Sequence, residues 1–478
     1  MSPAHGNGAA PLPDATALAE AVRHGETSAM ALMQASIERA KADPYGAVCH
    51  LDVQMGLDAA RQFDKRLAGG EQEARNAPFA GVPFLAKDLS NAARGLPVHA
   101  GSKALAKRVR PADEDSLIFK RFRQAGLLPF GVTTTPEFGL ALTSEPPAGP
   151  LARNPWNPDY SPGGSSGGAA GAVASGIVAI AHASDAAGSI RVPAACCGIF
   201  GLKPSRGLTS NAPEFGNHLM GITGELVLAR SVRDIRAALV AVSGHTMGPY
   251  GEVNLSGVPV KGMRIGIVDT APRTGKEQAE AVRSIIPLLK DQGHTIVDVD
   301  LTALDELAAA SDGIVRTILS VSLACWLDSL EIADDEISPV TAAAARDGRA
   351  LNACDLYSAE ANAARIAHGC WKLFEDMDAI AMPMLSGPPP KIGSMPSDRT
   401  DTDTLWDQMA TIAPRTALAN AAGIPALSLP RGLDKSGLPL SVQLIGPIGA
   451  DLLLLDIAQH LETGPHWHFP ADIAGAHP

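Results

Sequence analysis

Gly163-Gly164-Ser165-Ser166-Gly167-Gly168 and, a little further on, Asp185-Ala186-Ala187-Gly188-Ser189-Ile190-Arg191 are the stretches on which the reading of this chain turns. Residues 169–175, directly after the first, are Ala-rich and read as a helix; residues 177–183 then read as a buried strand that delivers the second. A flexible Gly/Ser linker has no reason to open a helix. A phosphate-binding loop needs Gly-Lys-Ser/Thr where the chain has Gly167-Gly168-Ala169. Gly163, Ser165 and Gly167 satisfy G-x-S-x-G formally, but a nucleophile elbow requires a strand immediately before it. What precedes is Asn154-Pro155-Trp156-Asn157-Pro158-Asp159-Tyr160-Ser161-Pro162, whose prolines exclude one.

In the second stretch, the small residues Ala186, Ala187 and Gly188 let successive backbone N–H groups turn toward one point, as an oxyanion hole requires. The Ser189 hydroxyl at the end of that run is placed to attack a carbonyl; a serine in a tight turn is the plainer alternative. A nucleophilic serine needs a base. None of the 13 histidines sits in a context of comparable sharpness. His182 lies in a probable strand, His466 and His468 lie near the C-terminus, and all three read as surface or packing residues. The stronger candidate is Lys87, which ends the apolar run Val82-Pro83-Phe84-Leu85-Ala86 beside Asp88. Burial there lowers an ammonium pKa toward a usable range.

Working outward, the 478 residues alternate strand and helix almost to the end, without a repeat period or a low-complexity linker. Asp14 and Thr27 read as N-caps of the first two helices, and a third runs over 57–67. Further strands are expected at 127–132, 263–268, 294–301, 379–382, 426–429 and 440–445, and a helix at 276–292. The pattern gives a flexible N-terminus at 1–13, one α/β domain over 14–470 with a helical excursion near 303–377, and a C-terminal tail at 471–478. The net charge of −12 argues against nucleic acid as a partner, because phosphate binding needs clustered Lys and Arg. The first residues lack a signal-peptide h-region, and the apolar stretch 169–183 is too short to span a membrane. Six scattered cysteines without a C-x-x-C read as buried free thiols, so a cytoplasmic location is expected. No zinc spacing, H-E-x-x-H or dinucleotide fingerprint is present, so the expectation is a hydrolase without metal or cofactor.

These residues resemble the amidase signature family. That family's core is a Gly-Gly-Ser-Ser-Gly-Gly run and an Ala-rich helix, then Asp-x-x-Gly-Ser-Ile-Arg-x-Pro-Ala and Gly-Leu-Lys-Pro. The chain has 163–168, 185–194 and Gly201-Leu202-Lys203-Pro204 in those places. Gly81 to Asp88, Thr135-Pro136-Glu137-Phe138, Asn154 to Asn157 and Gly437 to Gly446 are similar to its other markers. The resemblance spans roughly 14–460 and implies a large mixed central sheet covered by helices on both faces. It also implies a Ser–cis-Ser–Lys triad of Ser189, Ser165 and Lys87, with a cis peptide between Gly164 and Ser165. Backbone N–H groups of Ala186, Ala187, Gly188 and Ser189 would hold the oxyanion, and Gly164, Ser166, Asp185 and Arg191 would support the loops. The family layout places Thr143, Met220, Ile222, Trp326 and Leu385 around the substrate.

Two residues depart from the common pattern: Ala187 where a glycine is usual, and Ala169 where many members carry serine. The Ala186-Ala187 variant resembles the branch of aryl-acylamidases, urethanases and 6-aminohexanoate cyclic dimer hydrolases. The expected activity is therefore hydrolysis of small, mainly apolar amides through an acyl-enzyme, with carbamates and esters as further substrates, by a monomer or homodimer. The alternatives are a cyclic-amide hydrolase, the A subunit of the tRNA-dependent glutamine amidotransferase, and a non-catalytic binding protein on the same scaffold.

Overall fold

The computed structural model describes residues 13–89, 91–209, 218–244, 261–270, 274–462 and 469–476. Most of the expected N-terminal segment, together with His466 and His468, lies outside the described residues. Eleven strands form one sheet: β1 (Val48–Leu51), β2 (Val82–Lys87), β3 (Leu127–Thr133), β4 (Ile180–Asp185), β5 (Phe200–Lys203), β6 (Gly224–Ala229), β7 (Arg264–Ile267), β8 (Thr295–Val297), β9 (Ala379–Pro383), β10 (Ala426–Leu433) and β11 (Pro439–Ile445). Their order is β1-β3-β2-β4-β6-β5-β10-β11-β9-β7-β8. β2 pairs parallel with β3 and β4, as β7 does with β8 and β9, and the other pairings are antiparallel. Buried on both faces, β2 reads as the unbroken apolar run that parallel strands show.

Side chains alternate along a strand, so a sheet covered on both sides sends neighbours into different cores. Ala379 and Ala381 of β9 enter a core with the helices Ala15–His24, Gly167–Ala174 and Asp451–Leu461. Ile380 and Met382 enter a second, built on the helices Leu301–Ser329, Ala353–Leu373 and Thr416–Ala422. Leu444 and Ile445 of β11 divide in the same way. Helices on both faces of a mixed sheet are thus what the strand pattern requires.

Asp14 caps the first helix as expected, but the second cap is Ser28 rather than Thr27, its Oγ accepting from Ala31 N. The helix expected over 276–292 is two, Lys276–Arg283 and Ile286–Asp291. Pro287 has no N–H to donate back across that junction. The strand expected over 294–301 ends at Val297, because Asp300 caps the helix that begins at Leu301. The excursion consists of Leu301–Ser329, Pro339–Ala350 and Ala353–Leu373. The first of these is long and apolar enough to cross a membrane by length and composition, which the stretch 169–183 is not. It packs Leu304, Ile314, Val315 and Ile318 into the second core. At the C-terminal end Ile473 and Ala474 are buried and Ala474 N donates to Gly176 O, so this part of the tail packs on the body. All six cysteines are unpaired, and Cys325 and Cys354 are exposed where buried thiols were expected.

Candidate active site

Leu85 of β2 stands opposite Ala181 of the parallel β4, so both strands end at one edge of the sheet and present Lys87 and Asp185 there. The loop 163–168 reaches that edge because the helix it opens, Gly167–Ala174, lies across β2, β3 and β4. Close approach fixes its glycines. A Cβ on Gly164 would sit 2.5 Å from Ala141 O and 2.8 Å from Thr143 N. The peptide bond between Gly164 and Ser165 is cis, as the resemblance implies.

Lys87 is buried, and its Nζ donates to Ser165 Oγ at 2.8 Å, to Ser184 Oγ at 2.8 Å and to Ser184 O at 3.3 Å. Burial lowers its pKa to about 7, while the negative charges of Glu225 and Asp185 work the other way. Asp88, adjacent in sequence, is turned away from the lysine. Its carboxylate accepts from His99 N at 2.5 Å and Gly101 N at 3.0 Å, and burial raises its pKa to about 6. The lysine's proton affinity is therefore set by burial and by carboxylates on other strands, not by its sequence neighbour.

Ser165 is held through its carbonyl, which accepts from Thr135 Oγ1 at 2.8 Å and Ser144 Oγ at 3.4 Å. Ser166 Oγ donates to Ser184 O at 3.2 Å, tying the serine loop to β4. Ser189 is 8% exposed, against 1% for Lys87 and 2% for Ser165, so it is the member nearest solvent. Its Oγ makes no hydrogen bond among the described residues, Ser165 included. Gly188 N donates to Asp185 Oδ1 at 2.7 Å and is committed to that carboxylate. Of the four N–H groups expected to face an oxyanion, those of Ala186, Ala187 and Ser189 have no acceptor among the described residues.

Behind this loop lies a wholly buried network. Arg191 grips Asp185 with two parallel bonds, Nε to Oδ2 at 2.9 Å and Nη2 to Oδ1 at 3.0 Å. Its remaining donors reach Gln443 Oε1 at 2.7 Å, Asn420 Oδ1 at 2.6 Å and Thr416 O at 3.0 Å. Asn420 Nδ2 returns to Asp185 Oδ1 at 2.9 Å. Burial works to raise the Asp185 pKa, but the Arg191 charge and the Arg191 and Asn420 hydrogen bonds hold it well below the usual carboxylate range.

The five expected pocket residues do not gather in one cavity. Met220 and Ile222 share an apolar cluster with Ala187 and Leu219 beside the candidate nucleophile's loop. Trp326 packs edge-on against Phe138, at 5.0 Å between ring centroids, in a second cluster. Leu385 joins Leu142 and Val192 in a third. Thr143 lines a cavity of about 30 Å³ with Glu137 and Thr341, and its Oγ1 has no partner among the described residues. Sequence reasoning missed Ser184, Thr135, Ser144, Asn420 and Gln443. Ser184 adjoins the second motif, and Thr135 and Gln443 lie within the markers at 135–138 and 437–446, whereas Ser144 and Asn420 stand outside any marker. Among the described residues no three His, Cys, Asp or Glu side chains are grouped to hold a metal ion.

A parallel pair of strands that brings a buried lysine and two serines to one sheet edge defines a hydrolase-like site. A sequence profile described as Amidase matches residues 31–455, and the chain belongs to this family, the amidase signature hydrolases of amides. The 6-aminohexanoate-cyclic-dimer hydrolase of Paenarthrobacter ureafaciens is 34% identical over 489 residues, covering 95% of each chain. A Pseudomonas enzyme of the same name is 33% identical over 488 residues, again 95% of each. The solved structure of 6-aminohexanoate cyclic dimer hydrolase superposes with a TM-score of 0.83 at 32% identity, over 94% of this chain and 96% of the other. A bacterial aryl acylamidase of the amidase signature family has the same fold, with a TM-score of 0.83 at 23% identity over 98% and 99% of the two chains.

Proposed function

We propose that the chain is a stand-alone amidase that hydrolyses small, mainly apolar amides, acyl and aryl amides among them, through an acyl-enzyme on Ser189. The observation that carries this reading is the buried Lys87, bonded to Ser165 Oγ at 2.8 Å on the edge that also bears Ser189. Neutral Lys87 takes a proton from Ser165, which takes the Ser189 proton as Ser189 Oγ bonds to the carbonyl carbon. The N–H groups of Ala186, Ala187 and Ser189 receive the oxyanion. On collapse the C–N bond breaks, and the amine leaves with a proton passed from Lys87 through Ser165. Water follows the same route, releasing the acid and Ser189. The Ser165–Ser189 hydrogen bond, open in this structure, closes when substrate aligns the two hydroxyls.

The apolar cluster of Ala187, Leu219, Met220 and Ile222 beside Ser189 supports an apolar substrate. The chemistry is equally suited to carbamates and esters, so the pocket sets the choice. Hydrolysis of a cyclic amide is the second reading, favoured by the two relatives named for that activity. A panel of anilides, linear aliphatic amides, the 6-aminohexanoate cyclic dimer, carbamates and esters, ranked by kcat/KM, separates them: the first reading requires an anilide or linear apolar amide at the top, the second the cyclic dimer. Glutaminase activity of the isolated chain, with its solution mass, tests the amidotransferase alternative. Six unpaired cysteines support a cytoplasmic, reducing setting.

The Lys87 assignment makes its own prediction. Below about pH 7 the amine is an ammonium and has no lone pair for the Ser165 proton. kcat/KM for an anilide is expected to rise with pH through about 7 and then level off. Lys87→Met is expected to lose this activity while keeping its circular dichroism; full activity in that variant would remove the lysine from the mechanism.

A further inference from the structure

One buried polar pair near the site has no part in the mechanism above. β4 and β6 are antiparallel with Ser184 opposite Glu225, and His182 lies two residues back along β4 on the same face. His182, Ser184 and Glu225 therefore share one side of the sheet, and Lys87, at the end of the neighbouring β2, reaches them through its Nζ bond to Ser184 Oγ and its backbone N–H. His182 is fully buried, with Phe119 and Phe122 rings against it at 4.9 and 6.0 Å. Its Nδ1 accepts the Lys87 backbone N–H at 3.3 Å, so that nitrogen carries no proton. The neutral ring is then protonated at Nε2 and donates to Glu225 Oε2 at 3.1 Å. Asn91 Nδ2 donates to the same oxygen, while Glu225 Oε1 is buried without a partner among the described residues. A buried carboxylate with an idle oxygen is costly to keep for packing alone. Two aromatic contacts and a backbone hydrogen bond leave the imidazole a single orientation.

We propose that Glu225, acting through His182, is a positioning residue for Lys87: the imidazole holds the last peptide of the lysine strand, and the carboxylate supplies negative charge beside the amine. This rests on Lys87 being the general base. The groups that face the lysine are few. β4 contributes Asp185 and His182, β6 contributes Glu225, and Asp88 is engaged with His99 and Gly101. β3 and the helix Gly167–Ala174, which also pack here, carry no titratable side chain. Asp185 is neutralised by Arg191, so Glu225 is the carboxylate without a cationic partner among these. Its charge works against the burial that depresses the lysine. Glu225 thereby places the working range of the base higher than burial alone would.

The two halves of the unit predict different readouts on a chromogenic acetanilide. Glu225→Gln keeps an acceptor for His182 Nε2–H but removes the charge, so the ammonium is disfavoured and the base is free at lower pH. The acid limb of kcat/KM is expected to move down by about half a pH unit or more, and Glu225→Asp is expected to return it toward the wild-type position even with kcat reduced. His182→Asn keeps the carboxylate and is expected to lower kcat with the limb moving far less. An acid limb in E225Q that coincides with wild type, or moves up, overturns the electrostatic half; an unchanged kcat in H182N overturns the positioning half. Should E225Q not fold, Glu225→Met removes the same charge without adding a polar group: the proposal requires its acid limb below that of Glu225→Asp, and coincident limbs overturn the electrostatic half. Lys87→Met run in parallel separates the two levels of failure. An active K87M removes the base itself, whereas an inactive K87M with an unmoved E225Q limb removes only the role of the pair.

Discussion

Ser189→Ala is expected to cut turnover of any accepted amide by about 10⁴-fold or more, with the melting temperature unchanged. Both halves follow from its environment. The hydroxyl makes no hydrogen bond among the described residues, so its removal leaves no buried group unsatisfied and opens no sizeable cavity. What disappears is the atom that would bond to the carbonyl. The three N–H groups that would receive the oxyanion remain, and such residual stabilisation leaves activity above the uncatalysed rate when a nucleophile alone is lost. Ser165→Ala differs, because Ser165 Oγ is one of three acceptors around Lys87 Nζ and its loss disturbs a buried amine. Covalent labelling separates the two. A sulfonyl fluoride is expected to add one mass increment to wild type, a slower one to S165A and none to S189A. Labelling of S189A at the wild-type rate would move the nucleophile elsewhere.

The meeting of Lys87 with the serine loop at one sheet edge was legible because these residues leave few alternatives. Five apolar positions ending in Lys87 make a buried strand whose last side chain must find polar partners, and the structure supplies them in Ser165 and Ser184. The runs 163–168 and 185–189 are small because backbone must approach backbone, and Gly164 against Ala141 and Thr143 shows how closely. What could not be read is what arrives from far along the chain. Asn420 and Gln443 meet Arg191 across separations of 229 and 252 residues, and no local periodicity encodes such a meeting. Strands β1, β5 and β6 were missed for another reason. β1 and β5 are four residues long, with β1 only half-buried and β5 inside the Gly-Leu-Lys-Pro marker, where a motif masks a strand. His182 read as packing, and it is packed between phenylalanines, but only the β4–β6 register reveals that its ring also joins Lys87 to Glu225. How the five residues expected around the substrate pack was not legible either, since Met220 and Ile222, Trp326, and Leu385 come from separate segments and join three different apolar clusters.

Arg191→Met is expected to be the most destabilising single change at the site, at about 3–5 kcal/mol. A domain typically holds about 5–15 kcal/mol in total, so much of its margin would go. The reason lies in what the guanidinium leaves behind. Asp185 would stay buried with its charge, keeping Asn420 Nδ2 and the backbone N–H groups of residues 188, 190 and 191 but no guanidinium, while Gln443 Oε1 would lose its donor. The same carboxylate fixes the loop bearing Ser189, through Gly188 N at 2.7 Å and Ile190 N at 3.1 Å. Loss of stability and loss of kcat are therefore expected together, and kcat should fall even at temperatures where the variant is fully folded. Asp185→Asn tests the cause. Alone it leaves a buried guanidinium without its counter-charge, but combined with Arg191→Met it removes both charges at once. The double variant is expected to be less destabilised than the sum of the single ones, by 1 kcal/mol or more on the order seen for residues in direct contact. Strict additivity in urea unfolding would mean that the pair does not act as a unit, and the loop would then owe its position to backbone packing around Gly188 instead.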